Sequence, residues 1–192
     1  LGFASVQIPL GYLLDKSGPK KIVSYFLLIA IVGMISFSLS QNFTSLLLSR
    51  ILIGVGVGAC LMGPLTAYRV WFQDETQQRA SSWMLMTGAI GMLSSSLPVQ
   101  FFLPIIGWRL IFIILAILTI LCIVLIVIFI PNWNKANVQN TPDDNGSLKE
   151  VWQNKLFKSL VPMGIFNYGG LFAVQTLWAG PWMVKVSGYT PE

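Results

Sequence analysis

Between positions 22 and 68 the chain holds a single charged residue, Arg50, which leads the run Ile51-Leu52-Ile53-Gly54-Val55-Gly56-Val57-Gly58. A guanidinium in so apolar a stretch places a fixed positive charge in low dielectric, where it can bind an anion. Equally open is a long side chain snorkelling to an interface from about two turns inside a span. Gly54 and Gly58, four apart with Gly56 between them, offer a face on which another helix can pack closely. A second group is Gly11-Tyr12-Leu13-Leu14-Asp15-Lys16-Ser17-Gly18-Pro19-Lys20-Lys21. Its acid ends one helix, which Gly18 caps and Pro19 cannot continue, and its lysines open the next. Both charge types sit at unfavourable dipole ends and call for partners elsewhere: a basic residue or helix N-terminus for Asp15, phosphate head groups or carboxylates for the lysines. A third group, Asn167, Tyr168, Gln175 and Trp178, brings polar and aromatic side chains into an apolar run. Positions 168, 175 and 178 fall near one face, because seven residues advance a helix by almost two turns. Solute contact is one use for them and an interfacial aromatic belt another.

Other chemistries lack their residues. There is no histidine to serve as a base, no Gly-x-Ser-x-Gly and no phosphate-binding loop. Cys60 and Cys122 lie in separate apolar stretches and read as small core residues, so neither a metal site nor a cofactor is implied, and the pattern speaks against an enzyme. The net charge of +5 is scattered between apolar runs rather than gathered on a face, which excludes a nucleic-acid surface.

These residues must be carried by membrane helices. Only 10% of the 192 residues are charged, 55% are hydrophobic and the mean hydropathy is +0.72, against about 25% charged in a soluble domain. The stretches 22–49, 51–68, 80–108, 110–134 and 159–184 contain no Asp, Glu, Lys or Arg. Each is near or above the roughly 20 residues a spanning helix needs, and 1–14 resembles the tail of a sixth. The connections alternate in charge. Lys16, Lys20, Lys21, Arg69, Arg79, Lys135, Lys149, Lys155 and Lys158 fall on one side, Arg109 and Lys185 on the other. The first side is expected to be cytoplasmic, which puts 15–21, 69–79 and 132–158 there. Segment 132–147 is rich in Asn, Asp, Pro and Gly and reads as a polar link. Leu148, Val151, Trp152, Leu156 and Leu160 then recur at helical spacing, as in a short interfacial helix or an extension of the last span. The chain starts inside an apolar run without a charged leader, so no signal peptide is expected. It stops at Tyr189-Thr190-Pro191-Glu192, a helix-start pattern, which reads as a piece of a longer protein.

The segment from Gly11 to Lys21 resembles the loop signature of the major facilitator superfamily, Gly-x-x-x-Asp-(Arg/Lys)-x-Gly-x-(Arg/Lys)-(Arg/Lys), matched at Gly11, Asp15, Lys16, Gly18, Lys20 and Lys21. Arg50 with Gly54 and Gly56 is similar to that family's fourth-helix pattern. Trp71-Phe72-Gln73-Asp74-Glu75-Thr76-Gln77-Gln78-Arg79-Ala80 resembles its link between helices four and five, and Gly107-Trp108-Arg109 with Phe112 the start of helix six. The resemblance implies an all-α polytopic bundle, of which this chain covers helices two to seven of twelve. Residues 1–131 would belong to the first six-helix bundle, 132–158 to the inter-bundle link and 159–192 to the start of the second. It further implies a gating role for Asp15, supported by Lys16 and Lys21, with Arg79 as a candidate ion partner. Arg50 would act at the central cavity, and Asn167, Tyr168, Gln175 and Trp178 would be substrate contacts on helix seven. Helix five departs from the exporters: Thr87-Gly88-Ala89-Ile90-Gly91-Met92-Leu93-Ser94-Ser95-Ser96-Leu97-Pro98 lacks their Gly-Pro pair, which weakens a drug/proton antiport reading.

The expectation is therefore a monomeric transporter of a bacterial inner membrane. It would move a small anionic organic solute by alternating access, as symporter or antiporter, with protons as coupling ion. No Asp or Glu lies mid-span, so the titrating carboxylate would be in a loop or outside this chain. The rival is a transporter-like receptor that binds solute without moving it.

Overall fold

A computed structural model describes residues 2–132, 152–186 and 188, the side chains of Leu97, Tyr168, Phe172, Gln175 and Thr176 excepted. Every described element is helical: α1 Gly2–Ser17, α2 Pro19–Leu39, α3 Phe43–Val57, α4 Ala59–Trp71, α5 Asp74–Phe129, α6 Lys155–Ala173, a π-helical turn Val174–Trp178, and α7 Ala179–Val186. The chain divides into two units, Leu1–Gln139 and Asn140–Glu192. Among the described residues, three stretches are long and apolar enough to cross a membrane by length and composition: Pro19–Leu39, Phe43–Trp71 and Pro98–Phe129, with mean hydropathies over an 18-residue window of 2.4, 2.0 and 3.7.

Helix boundaries follow the local chemistry. Ser17 ends α1, Gly18 takes φ 81°, ψ 156°, and Pro19 opens α2 with its fixed φ and absent N–H, both suited to a first turn. Asn42 and Ser45 close a reciprocal capping box at the start of α3. The acids Asp74 and Glu75 occupy the first turn of α5, where the helix dipole favours them. Helix α5 runs through Pro98 and Pro104 and is interrupted at Gly107, whose φ 74°, ψ 158° repeats the conformation of Gly18. The connection between the apolar stretches 80–108 and 110–134 is thus one residue long, separating an arm 74–106 from an arm 108–129. Both glycines occupy a region that is essentially closed to residues with a Cβ.

Contacts between helices set the register of the first unit around α2. Ideal Cβ positions at Gly33, Gly56 and Gly63 fall on Ile53, Ala30 and Val23 respectively, so α3–α4 descends α2 antiparallel in close van der Waals contact. Gly2 lies against Ile51, Gly54 against Phe3, and Gln7 against Gly58, so α1 runs parallel to α3–α4. The pairs Ser38–Arg109, Met34–Thr119 and Lys20–Asn132 place the arm 108–129 antiparallel to α2 on another side. Small residues at the crossings are what helix association in lipid requires, since apolar burial gives little drive there. The core joins Leu10, Leu14, Ile22, Val23, Leu27 and Ala59, with Ile123 and Ile126 packed against it. Most residues of 98–129 are exposed, with Ala116 buried and Ile123 and Ile126 half-buried.

In the second unit, Asn154 caps α6 by accepting a hydrogen bond at Oδ1 from the Leu156 N–H at 2.9 Å. That cap breaks the helical run expected to carry Trp152 and Leu156 together. Leu148 and Val151 lie outside the described residues, as do Lys135, Lys149 and the 189–192 ending.

Candidate functional site

The turn from Gly11 to Lys21 is built as the sequence implies, with a different ion partner. Asp15, in the last turn of α1, accepts a hydrogen bond from Arg69 Nη2 at 3.4 Å. Arg69 occupies the last turn of α4, and α1 and α4 run parallel, so their C-terminal ends lie together. Arg79, the expected partner, sits two turns into α5 beyond the link 72–73. There it lines an open depression of about 490 Å³ with Glu75, Gln78, Ser82, Trp83 and Met86. The Arg69 guanidinium thus pairs with Asp15 while its positive charge lies in the last turn of α4, where the helix dipole favours it. Lys16 Nζ lies 5.8 Å over the Tyr12 ring, one turn back. Lys20 Nζ donates to Asn132 Oδ1 at 3.1 Å, tying the start of α2 to the end of the arm 108–129. Lys21 is exposed, and a Cβ on Gly11 would meet nothing within 4 Å.

At the opposite end of the first unit, Arg50 is exposed and forms no hydrogen bond or ion pair among the described residues. Its Cζ lies 4.4 Å over the Phe37 ring and 5.2 Å over the Phe112 ring. The two rings are 4.3 Å apart and tilted by 42°. Trp108 meets Phe37 edge-on at 5.5 Å, and Arg109 lies 4.7 Å over Trp108. Arg109 Nε and Nη2 donate to the carbonyls of Ser38 and Ser40 at 3.2 and 3.4 Å, and Ser38 Oγ donates back to the Arg109 carbonyl at 3.0 Å. The last carbonyls of α2, orphaned by the helix end, are satisfied by a cation that their dipole attracts.

The three packing glycines divide their work. Gly56 is buried against Ala30 of α2, where an added Cβ would meet backbone. Gly54 faces α1, its Cβ position 3.4 Å from the Phe3 nitrogen. Gly58 marks the break between α3 and α4, and its carbonyl accepts from Gln7 Nε2 at 3.4 Å. Spacing alone paired Gly54 with Gly58, but the tightest crossing runs through Gly56, because α2 packs on the side of α3 away from α1.

In the second unit, Asn167 and Trp178 are exposed, Trp178 to 68%. The side chains of Tyr168 and Gln175 lie outside the described residues. The helical run is irregular at 174–178, where a π-helical turn interrupts it. A π turn closes i→i+5, so it rotates Trp178 off the face that uninterrupted helical spacing gives it. No cluster of His, Cys, Asp and Glu that could hold a metal occurs among the described residues.

Among the residues with a part in these contacts, Arg69 and Phe37 were not singled out as site candidates from the sequence, and Phe112 was marked only by the helix-six resemblance. Arg69 carried a signal, a charge at a helix end on the same side as Asp15, whereas Phe37 carried none, being one of 12 phenylalanines in the chain.

The family model of the Major Facilitator Superfamily matches residues 1–191. Over 183 residues the chain is 28% identical to the nitrate/nitrite transporter NrtP of Nostoc punctiforme, covering 89% of this chain and 35% of that protein. It is 25% identical over 187 residues to a probable L-galactonate transporter of Escherichia coli, covering 93% and 38% respectively. A second NrtP, from Picosynechococcus, is 30% identical over 130 residues, 68% of this chain and 23% of that protein. The chain thus spans less than two-fifths of the length of these relatives. No solved structure matches it.

Proposed function

Because the chain belongs to the Major Facilitator Superfamily, we propose that its protein is a secondary transporter of a small anionic solute and that Arg50 binds the anion. Membership makes the protein an integral, multi-pass membrane protein, and the relatives it resembles are transporters rather than enzymes. The carrying observation is Arg50 itself: a permanent cation seated on aromatic rings in an apolar helix, with no acid against it among the described residues. Nitrate, nitrite and galactonate, the solutes named for the relatives, are all anions, which supports this reading.

The finer parts of the proposal follow. The six crossings and their division into 1–131, the link 132–158 and 159–192 are those expected from the family. Asp15, with Arg69 in place of Arg79, forms a cytoplasmic latch of the transport cycle, supported by Lys16, Lys20 and Lys21. Asn167, Tyr168, Gln175 and Trp178 contribute solute contacts. Movement is by alternating access coupled to protons, in a bacterial inner membrane, by a monomer.

The test is a thermal-shift screen of the intact protein against nitrate, nitrite, L-galactonate, and neutral and cationic metabolites, in the natural form and as Arg50→Gln. Stabilisation by anions that weakens about 10- to 100-fold in the variant, the scale of a lost charged hydrogen-bonding partner, supports the reading. Stabilisation by neutral or cationic compounds that survives the substitution overturns it. Accumulation of the stabilising anion in proteoliposomes, dependent on an imposed pH gradient, separates proton-coupled transport from binding alone.

A further inference from the structure

We propose that Phe37 and Phe112 are positioning residues for Arg50: a two-ring cradle that holds its cation in place while leaving its hydrogen-bond donors free for an oxyanion. The inference rests on the reading of Arg50 as the anion-binding group and adds what makes that group competent.

A guanidinium in an apolar span needs something to offset its charge. A carboxylate would do so by accepting its N–H groups, and would compete with any arriving anion for the same donors. An aromatic face attracts the cation through its quadrupole and leaves the charge standing. The structure uses the second device. Both rings lie within cation–π range of the Arg50 Cζ, and they come from two different elements, α2 and the arm 108–129, while Arg50 itself is on α3. Five N–H donors in one plane form the fork that suits two oxygens of a carboxylate or nitrate.

The cradle is itself held. Phe37 is only 9% exposed and is touched at its edge by Trp108. Trp108 lies beneath Arg109, whose guanidinium is anchored on the Ser38 and Ser40 carbonyls. The two arginines thus have opposite employment. Arg109 spends its donors on the end of α2, and among the described residues Arg50 keeps its own.

Were the rings mere filling, any apolar side chain of similar bulk would serve. Phe112 is the ring to change, since it is half-buried where Phe37 is nearly enclosed. The experiment measures binding of nitrate and of L-galactonate by the intact protein carrying Phe112→Leu or Phe112→Tyr, each with Arg50 and with Arg50→Gln. Thermal unfolding without ligand is recorded for the same set. Phe112→Leu is expected to weaken binding about fivefold, the order of one partly desolvated cation–π contact, and Phe112→Tyr to retain it. In the Arg50→Gln background the Leu substitution is expected to change nothing further. Equal losses for Leu and Tyr, or the same loss in both backgrounds, overturn the cradle. If Arg50→Gln leaves binding of both probes intact, the anion reading fails. The unfolding data then decide the cradle alone: a midpoint drop for Phe112→Leu that vanishes with Arg50→Gln supports it, and additive drops overturn it.

Discussion

Asp15 and Arg69 form their ion pair with 65% and 60% of each side chain exposed, in an environment where such a contact contributes little to folding. As the proposed latch, its value would lie in when it is made. Asp15→Asn and Arg69→Gln are each expected to shift unfolding by less than about 1 kcal/mol while lowering solute uptake several-fold, and the charge-exchanged pair Asp15→Arg with Arg69→Asp to recover part of that uptake. Unfolding midpoints and initial uptake rates on the same preparations check both halves; a loss of stability matching the loss of uptake would make the pair structural. Arg79→Gln is expected to leave uptake near its natural level, since Arg69 and not Arg79 pairs with Asp15. At this scale the sequence exposed the charged residues and hid their neighbours. Asp15 and Arg50 were legible because a charge in or beside an apolar helix has few uses. Arg69 and Arg79 are ten residues apart on the same expected side, and choosing between them needed the parallel packing of α1 on α4. Phe37 and Phe112 lie 75 positions apart on helices rich in apolar residues, and only rotation and register bring them over one cation.

Helix crossings give a sharper stability ordering. Gly56→Ala drives a methyl into the Ala30 backbone and is expected to destabilise by about 1–3 kcal/mol, the usual penalty for overpacking. Gly11→Ala meets open space and is expected to be neutral or stabilising by up to about 1 kcal/mol through helix propensity. Gly54→Ala, at the edge of ordinary contact with Phe3, belongs between them. Thermal denaturation of the three variants tests the order, and a Gly54 effect exceeding that of Gly56 would contradict the register around α2. Should Gly11→Ala impair uptake without affecting stability, its place in the family signature reflects a conformational need of transport rather than packing. Elements were legible where side-chain chemistry marks a boundary, as at Gly18-Pro19; the Asn42 cap and the Asp74-Glu75 first turn carry marks of the same kind, although 71–80 was expected to be a link. They were illegible where backbone geometry alone changes, as in the π turn at 174–178, whose residues Val-Gln-Thr-Leu-Trp carry no breaker. The start of helix six was legible at Gly107-Trp108-Arg109, and α5 passes through Pro98 and Pro104 to break at Gly107.

For the molecule as a whole, the alternation of charged and uncharged connections assigns sides, and the geometry supplies reporters on each. Ser17, at the α1–α2 turn, and Asn42, at the α2–α3 turn, mark opposite ends of α2. In a background with Cys60 and Cys122 replaced by Ser, Asn42→Cys is expected to react with a membrane-impermeant maleimide in whole cells. Ser17→Cys is expected to react only after permeabilisation. The reverse pattern would invert the topology and place the Asp15–Arg69 contact on the outer face. Composition fixed the environment of this chain before any helix was placed, since so few charges cannot clothe a water-soluble surface. The single-residue turns at Gly18 and Gly107 bear on how the chain is made. A ribosome feeding α1 and α2, or the two arms of α5, into a membrane delivers helices with no slack between them. So short a connection leaves little freedom for one helix to sit in the bilayer without the other, and each pair is expected to enter together. Lengthening either turn with a flexible insert would uncouple the two insertions and let the order of synthesis, rather than the partnership of helices, decide which segment crosses first.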